Sequence, residues 1–514
     1  MGLAALAAYA ALLAVLVLAE RGAPAATIRS LGDAFWYSLV TLTTVGYGDL
    51  YPVSAAGRLA GAVFVMLSLG ILASLVALAA GTVREWAERR RERRKLRRLP
   101  CCLFSERNEA SETLAENLLA DGEKKCMVFC GAEAETPAPA SGRILCLSRG
   151  IEQIAPFCGD LRGVFLMGAE EAGNAVLAER MRGGGAPVFC RGAELKGMDG
   201  VRFFDDMECC ARAYWRKWPL RDGETRIWIA GDGKLAQALL DQAVLVNCRT
   251  PFRRTVYHLF GDWRAYRRMH PGLRQVFSDT EEGTRDALIF HETGWMEEPE
   301  LAARADRVIF CADSRKANGE SAAAFSRYIA SPAVIHLAGE APGALGEGFG
   351  APGEIFTADT VIRGLQDRRA RALHRAYCRL SGRETPWEEL SPFLKASNRA
   401  AADHLETKIR LLVPDWETKK SPEDIRAEAA ERLKRLADWE MPERNEHERW
   451  SRFYALYNWK WGPEKDEALR THPDLVPYEE LSPGEREKDR GAWRMLEARL
   501  PEEEDPLPRA SRGE

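Results

Sequence analysis

Two stretches without a charged side chain, residues 2–19 and 59–83, constrain this chain more than anything else in it. Each is long enough, at ~1.5 Å per helical residue, to cross a hydrocarbon core of ~30 Å. From Arg84 to Arg98 basic residues far outnumber the three glutamates, and such a basic flank stays on the cytoplasmic side. Two spans return a chain to the side it started from. The sequence therefore predicts a multi-pass protein of the inner (plasma) membrane with cytoplasmic N- and C-termini. A cleaved signal peptide is the rival reading of residues 1–20. That stretch lacks a basic start, and removing it would strip the following loop of its outer helix.

Between the apolar stretches lies Thr43-Thr44-Val45-Gly46-Tyr47-Gly48-Asp49, preceded by an aromatic-rich run from Asp33 to Leu42. A pore that passes bare K⁺ replaces the ion's water with fixed oxygens. Four copies of a Thr-Val-Gly-Tyr-Gly loop do so with backbone carbonyls aimed at the axis. Gly46 and Gly48 suit an alternating backbone that a Cβ would oppose. Thr44 adds a hydroxyl oxygen at the inner end, and Tyr47 braces the loop from outside. The expected ion-selectivity filter is Thr44, Val45, Gly46, Tyr47 and Gly48, with the first four as metal ligands. Asp33 is the expected N-cap of a pore helix whose C-terminal carbonyls favour a cation. Trp36 and Tyr37 fit an aromatic cuff, and Asp49 places a carboxylate at the outer mouth. Gly70, near the middle of the second span, is the candidate gating hinge. On these motifs, residues 1–83 resemble the pore of a two-transmembrane prokaryotic K⁺ channel. The resemblance implies K⁺ as permeant ion, a homotetramer around one pore, and contact with membrane lipids.

At 514 residues the chain has room for about three or four domains. Its net charge of −4 gives no reason to expect a nucleic-acid partner. The twelve cysteines all follow residue 100. That is the reducing side, where thiols rather than disulfides are expected. Cys101 and Cys102 are either acylated next to the membrane or buried in a strand.

After a basic linker at 84–99, residues 100–220 alternate short apolar strands with helical runs, and residues 221–370 repeat the pattern. This alternation predicts two α/β units with parallel, doubly wound sheets. The first strand-to-helix turn, Ser105–Ser111, carries no glycine fingerprint. The second unit has Gly231-Asp232-Gly233-Lys234-Leu235-Ala236, a G-x-G-x-x-A turn in the right setting for a nucleotide or NAD(H)-like ligand. The acidic partner expected about 20 residues on is missing. Asp262 comes about 30 residues after Gly231. Both readings stay open for Gly231, Gly233 and Ala236: a bound nucleotide, or a glycine turn that only packs. Tandem units behind a pore resemble the RCK (TrkA-N-like) architecture, which implies a cytoplasmic ring pulling on the inner helices.

Residues 371–439 read as a charged helical spacer. Residues 440–495 carry Glu446-His447-Glu448-Arg449-Trp450, Trp459-Lys460-Trp461-Gly462-Pro463 and His472-Pro473-Asp474-Leu475-Val476-Pro477-Tyr478. These segments resemble the ryanodine-receptor repeat (RyR) domain, which implies a small helical module and a nucleotide-like small-molecule ligand. Trp450, Trp459, Trp461 and Tyr478 could form a stacking box, with His447 and Arg452 as polar contacts. The alternative is that these rings are the core of a small domain. Residues 496–514 read as a disordered tail.

The expected fold class is a membrane α-helical tetrameric pore with two spans and a pore helix. Two α/β Rossmann-like domains and a small C-terminal α-helical domain follow it. No catalytic residue stands out, and no enzyme is expected. A ligand-gated K⁺ channel uses every part of the chain. A constitutive or ion-regulated channel with a cytoplasmic scaffold, or a membrane-anchored NAD(P)-dependent oxidoreductase, leaves some part unexplained.

Overall fold

The computed structural model describes residues 2–120, 125–131, 143–382, 385–419 and 421–496, and divides into two compact units, Met1–Arg98 and Leu99–Glu514. The first unit holds three helices: α1 (Gly2–Glu20), α2 (Leu31–Leu42) and α3 (Ala55–Arg98). The basic run adds no break to the second apolar stretch. α3 passes through Gly61, Gly70 and Gly81 as one helix of 44 residues, roughly 66 Å at ~1.5 Å per residue. Leu13, Leu16, Val17, Ile28, Ala34 and Phe64 form the core between the three helices. Among the described residues no helix is long and apolar enough to cross a membrane. The two expected spans therefore rest on the sequence.

Asp33 is not the N-cap of α2. Ser30 caps the helix, its Oγ accepting from Asp33 N at 3.1 Å, while Asp33 Oδ2 accepts from Ser30 N at 2.9 Å. A serine three residues before an acid satisfies two orphan amides reciprocally, which a single leading Asp does not.

The second unit contains two six-stranded sheets. The first is built from β1 (Pro100–Phe104), β2 (Cys126–Cys130), β3 (Ile144–Leu147), β4 (Asp160–Leu166), β5 (Val188–Arg191) and β6 (Val201–Phe204). The second uses β7 (Arg226–Ala230), β8 (Val256–Phe260), β9 (Ala287–His291), β10 (Arg307–Phe310), β11 (Val334–Ala338) and β12 (Glu347–Phe349). The orders are β3-β2-β1-β4-β5-β6 and β12-β11-β10-β7-β8-β9. Every pairing between these strands is parallel. Each sheet thus reverses direction beside its first strand, the doubly wound arrangement that opens a crevice at the C-terminal strand ends. Central strands such as Cys126–Cys130 and Val256–Phe260 are buried along their whole length. A parallel sheet covered on both faces requires that pattern. β12 was not expected; it has three residues and glycines on both sides.

The segment read as a solvated spacer is packed. Its helix Pro392–Leu412 buries Ala400, Ala402, His404, Leu405, Lys408 and Ile409. Arg212, on the helix Asp206–Lys217, reaches Asp403 at 2.7 Å and Asp367 at 3.0 Å. A charged sequence hides such burial because each buried charge carries its partner with it. The expected tail lies, beyond Leu496, outside the described residues.

Candidate functional site: ion pathway and ligand crevices

In the first unit the backbone between α2 and α3 alternates. Thr44, Gly46 and Gly48 have φ of 58°, 58° and 75°. These left-handed values at every second residue turn successive carbonyls toward one side, and two of the three are glycines, which carry no penalty there. Thr44 is a strained exception. Val45 N and Gly46 N hang from the Val40 carbonyl at 3.0 and 3.3 Å, so the loop starts from the C-terminal end of α2. Trp36 Nε1 donates to Asp49 Oδ2 at 2.9 Å, and the Trp36 ring stacks on Tyr47 at 6.2 Å and 6°. Trp36 therefore braces the loop. Tyr37 faces the other way, against Phe64 of α3. Gly70 lies inside α3, whose helical backbone continues through it.

In the second sheet the glycine turn is filled by the protein itself. A Cβ on Gly231, at φ +143°, would stand 2.7 Å from the Cys311 carbonyl, and one on Gly233 would stand 2.0 Å from Asp313 Oδ1. Asp232 Oδ2 accepts from Asp262 N at 2.6 Å, and Lys234 is paired with Glu171 at 2.5 Å. Ala236 is fully buried. Two carboxylates thus crowd the helix start where a pyrophosphate would place its own negative charge. The residues do not fit that group, and both glycines are accounted for by close packing. Asp262 does sit just past the C-terminal end of β8, where a ribose-binding acid belongs, but Arg264 already grips both of its oxygens. Clefts lie at the strand ends. One of about 380 Å³ lies between the two sheets' domains, among Glu171, Arg191, Asp205, Lys234 and Asp241. The other, of about 220 Å³, is lined by Asp262, Trp263, Arg267, Phe290 and His291.

Of the C-terminal rings, Trp450, Trp459 and Tyr478 join one cluster, and the expected box does not include the exposed Trp461. Trp450 lies against Tyr454 at 4.3 Å, His472 at 4.9 Å and His447 at 5.9 Å; Tyr454 meets Trp459 at 5.0 Å. Trp459 stacks on Phe393 of the preceding helical segment at 5.5 Å. Tyr478 is enclosed by Arg444 and Arg486 at 4.7 and 4.6 Å, and its hydroxyl donates to Glu443 at 2.5 Å. His447 is buried, its Nε2 2.7 Å from the Val476 carbonyl, and burial depresses its pKa. Burial likewise lowers His472 to about 4. Arg452 leaves the cluster altogether. It is fully buried against Asp286 at 2.9 Å, next to the Phe277 ring. Trp461 is 58% exposed, on the short strand Lys460–Trp461 beside Thr471–His472.

Residues 4–85 match a family model described as an ion channel. The first unit is thus similar to an ion-channel domain. Residues 429–497 match the RyR domain model. The potassium voltage-gated channel protein shk-1 of Caenorhabditis elegans is 46% identical over 55 residues, 11% of this chain and 10% of that protein. The A-type voltage-gated potassium channel KCND3 of Rattus norvegicus is 43% identical over 49 residues, 10% of this chain and 8% of that protein. The chain thus spans about a tenth of the length of the curated relatives it matches. Two solved structures of the GsuK channel, one bound to NAD, each cover 67% of this chain and 80% of their own. Their identities are 14% and 12%, and both TM-scores are 0.35.

Sequence reasoning missed Tyr454 and His472 in the aromatic cluster, Asp313 against the glycine turn, and Asp286 as the partner of Arg452. Helical spacing from Trp450 to Tyr454 was a usable signal for the first of these. Nothing local marks Asp286 or Asp313.

Proposed function

We propose that this chain is one subunit of a ligand-regulated, K⁺-selective channel in the plasma membrane, formed by four copies around a single pore. The observation that carries the reading is the left-handed backbone at Thr44, Gly46 and Gly48, on a Thr-Val-Gly-Tyr-Gly-Asp loop inside an ion-channel domain. Four such loops would ring the axis with carbonyl oxygens, with Asp49 at the outer mouth. Exposed apolar side chains along α3, among them Leu59, Met66, Val76, Leu78 and Val83, support a helix that meets lipid and neighbouring subunits. Two doubly wound domains following a pore in sequence resemble the RCK order of domains. Moving a pore from 1% to 99% open needs a differential ligand affinity of ~5.5 kcal/mol, which four coupled sites share.

For the ligand we favour the RyR module over the glycine turn. The turn is occupied by carboxylates, whereas Trp461 presents an open stacking face for a planar, nucleotide-like ligand. Potassium flux into proteoliposomes tests the pore: Gly46→Ala or Gly48→Ala should abolish selective flux while leaving assembly intact, and retained selectivity would sink the assignment. Thermal shift of the full chain with ATP, NAD, NADH, cyclic nucleotides and ADP-ribose tests the sensor. A stabilising nucleotide should lose its effect in Trp461→Ala; an unchanged shift would place the ligand elsewhere.

A further inference from the structure

The basic end of α3 is not uniform round the helix. Past Val83, where the uncharged stretch ends, Trp86, Arg90, Arg94 and Arg97 follow one another at intervals of three or four residues and so share one face. All four side chains are exposed, Trp86 at 61%. The Arg90 guanidinium lies over the Trp86 ring, 5.1 Å from its centroid. Stacking of this kind uses the flat face of the guanidinium and leaves its N–H edge to meet an oxyanion. Among the described residues no carboxylate pairs with Arg90, Arg94 or Arg97.

Depth decides what this face can meet. At ~1.5 Å per residue, Trp86 stands ~4.5 Å beyond Val83, inside a headgroup layer roughly 5–8 Å thick. Tryptophan settles at that level because its ring is apolar and its N–H is wet. Arg90 follows at ~10 Å, but helical side chains lean back over the preceding turn. Its place on the Trp86 ring shows that lean and returns the guanidinium to headgroup height. Arg94 and Arg97, at ~16 and ~21 Å, stand outside the layer, and their attraction to it fades over a Debye length of ~8–10 Å. Trp86 and Arg90 thus fix which side of the helix meets the headgroups. Arg91, Lys95 and Arg98 are exposed too, but on the next face round.

We propose that the face formed by Trp86, Arg90, Arg94 and Arg97 is a docking surface for anionic phospholipids, with Arg90 on the phosphodiester and Trp86 against the glycerol and the upper acyl chain. The proposal rests on the reading of residues 59–83 as a membrane span. Arginine suits the task, because its planar fork gives two parallel N–H bonds to phosphate oxygens and it stays charged at any pH the protein meets. A zwitterionic headgroup carries its own ammonium, which an arginine repels; phosphatidylglycerol offers the phosphate without it. The stripe therefore selects by net charge, as basic segments beside a membrane do. Its residues act in order of depth: Arg90 most, Arg94 less, Arg97 least.

The test is native mass spectrometry of the full chain in neutral detergent, titrated with phosphatidylglycerol or phosphatidylcholine. The unaltered chain should retain phosphatidylglycerol about tenfold more tightly, and added ammonium acetate should shrink that preference. Arg90→Gln should weaken phosphatidylglycerol retention several-fold, Arg94→Gln less and Arg97→Gln least. The triple change Arg91→Gln, Lys95→Gln and Arg98→Gln removes three charges from the next face and should cost no more than Arg90→Gln alone. Glycerol 3-phosphate should not displace the lipid; displacement would assign the face to soluble phosphates and overturn the proposal. Equal retention of the two lipids, a preference indifferent to salt, or a larger loss in the triple change than in Arg90→Gln would overturn it as well. The comparison of lipids uses the unaltered protein and so holds even if a variant misfolds. K⁺ flux into phosphatidylcholine liposomes separates the two readings: flux without a lipid preference sinks this proposal alone, and a lipid preference without flux supports it while sinking the channel.

Discussion

A β-carbon on Gly57 would stand 2.0 Å from Oε1 of Glu20, a side chain that accepts from Val53 N at 3.0 Å, Ser54 N at 2.9 Å and Ser54 Oγ at 2.7 Å. These bonds join the end of α1 to the start of α3. Three hydrogen bonds pin the carboxylate, so it cannot swing aside. Gly57→Ala should therefore destabilise the channel domain by about 1–3 kcal/mol, the usual cost of overpacking. Thermal denaturation in detergent measures it. Arg452 makes the opposite case, a charge wholly enclosed with two carboxylates, Asp286 at 2.9 Å and Glu448 at 3.1 Å, and a hydroxyl, Thr250 Oγ1 at 3.2 Å. Arg452→Met leaves Asp286 buried and unpaired, at a cost of about 3–5 kcal/mol. Replacing Asp286 with leucine as well should recover much of that loss; no recovery would mean that packing, not charge, dominates the site.

Individual elements carry the pH response. His258 on β8, His336 on β11 and His404 on the helix Pro392–Leu412 are all lowered by burial to about 3. The unfolded chain binds protons on these groups first, so their stability contribution is intact above about 6.5 and is lost as pH falls toward 3. Asp489, on the helix Pro483–Arg494, behaves in reverse. Burial, with Glu446 nearby, raises it to about 8. Its contribution is present below about 4 and is lost as pH rises through 8. Melting temperature should therefore drop steeply below pH 6 and drift down between pH 6.5 and 8. In Asp489→Asn the alkaline drift should vanish while the acid limb stays. A drift that persists would acquit Asp489.

At the scale of the whole molecule, the RyR module is part of the second Rossmann domain's packing rather than an appendage. Phe453, Tyr454, Leu456 and Trp459 belong to the same core cluster as Ile229, Leu259 and Leu288. Asn445 Nδ2 donates to the Cys248 and Thr250 carbonyls, and a β-carbon on Gly272 would reach within 2.3 Å of the Ala455 carbonyl. Deleting residues 440–496 should thus lower the melting temperature of the remaining second unit by several degrees, and point variants make cleaner tests of ligand binding than truncation. An unshifted melt would show that the module is energetically separate.

Much of this architecture was legible in the chain. The glycine loop between α2 and α3, the strand–helix alternation of residues 100–370 and the helix that carries His447 and Trp450 follow from short-range signals: glycines where the backbone turns left-handed, apolar runs of strand length, and ring spacing along a helix. β12 escaped because three residues among glycines make no such run. The start of α2 moved from Asp33 to Ser30 because a capping box reads the same whichever of its two polar ends is taken first. Pairing lay beyond sequence reasoning. Arg452 finds Asp286 across 166 positions, and Asp313 closes on Gly233 from the far side of a crossover. Sequence by itself determined which segments become glycine loop, sheet and aromatic module, because backbone preference and hydrophobic period act between near neighbours. Only the tertiary structure decided which charges are buried together and which glycines are filled, because those contacts exist only once distant segments share a core.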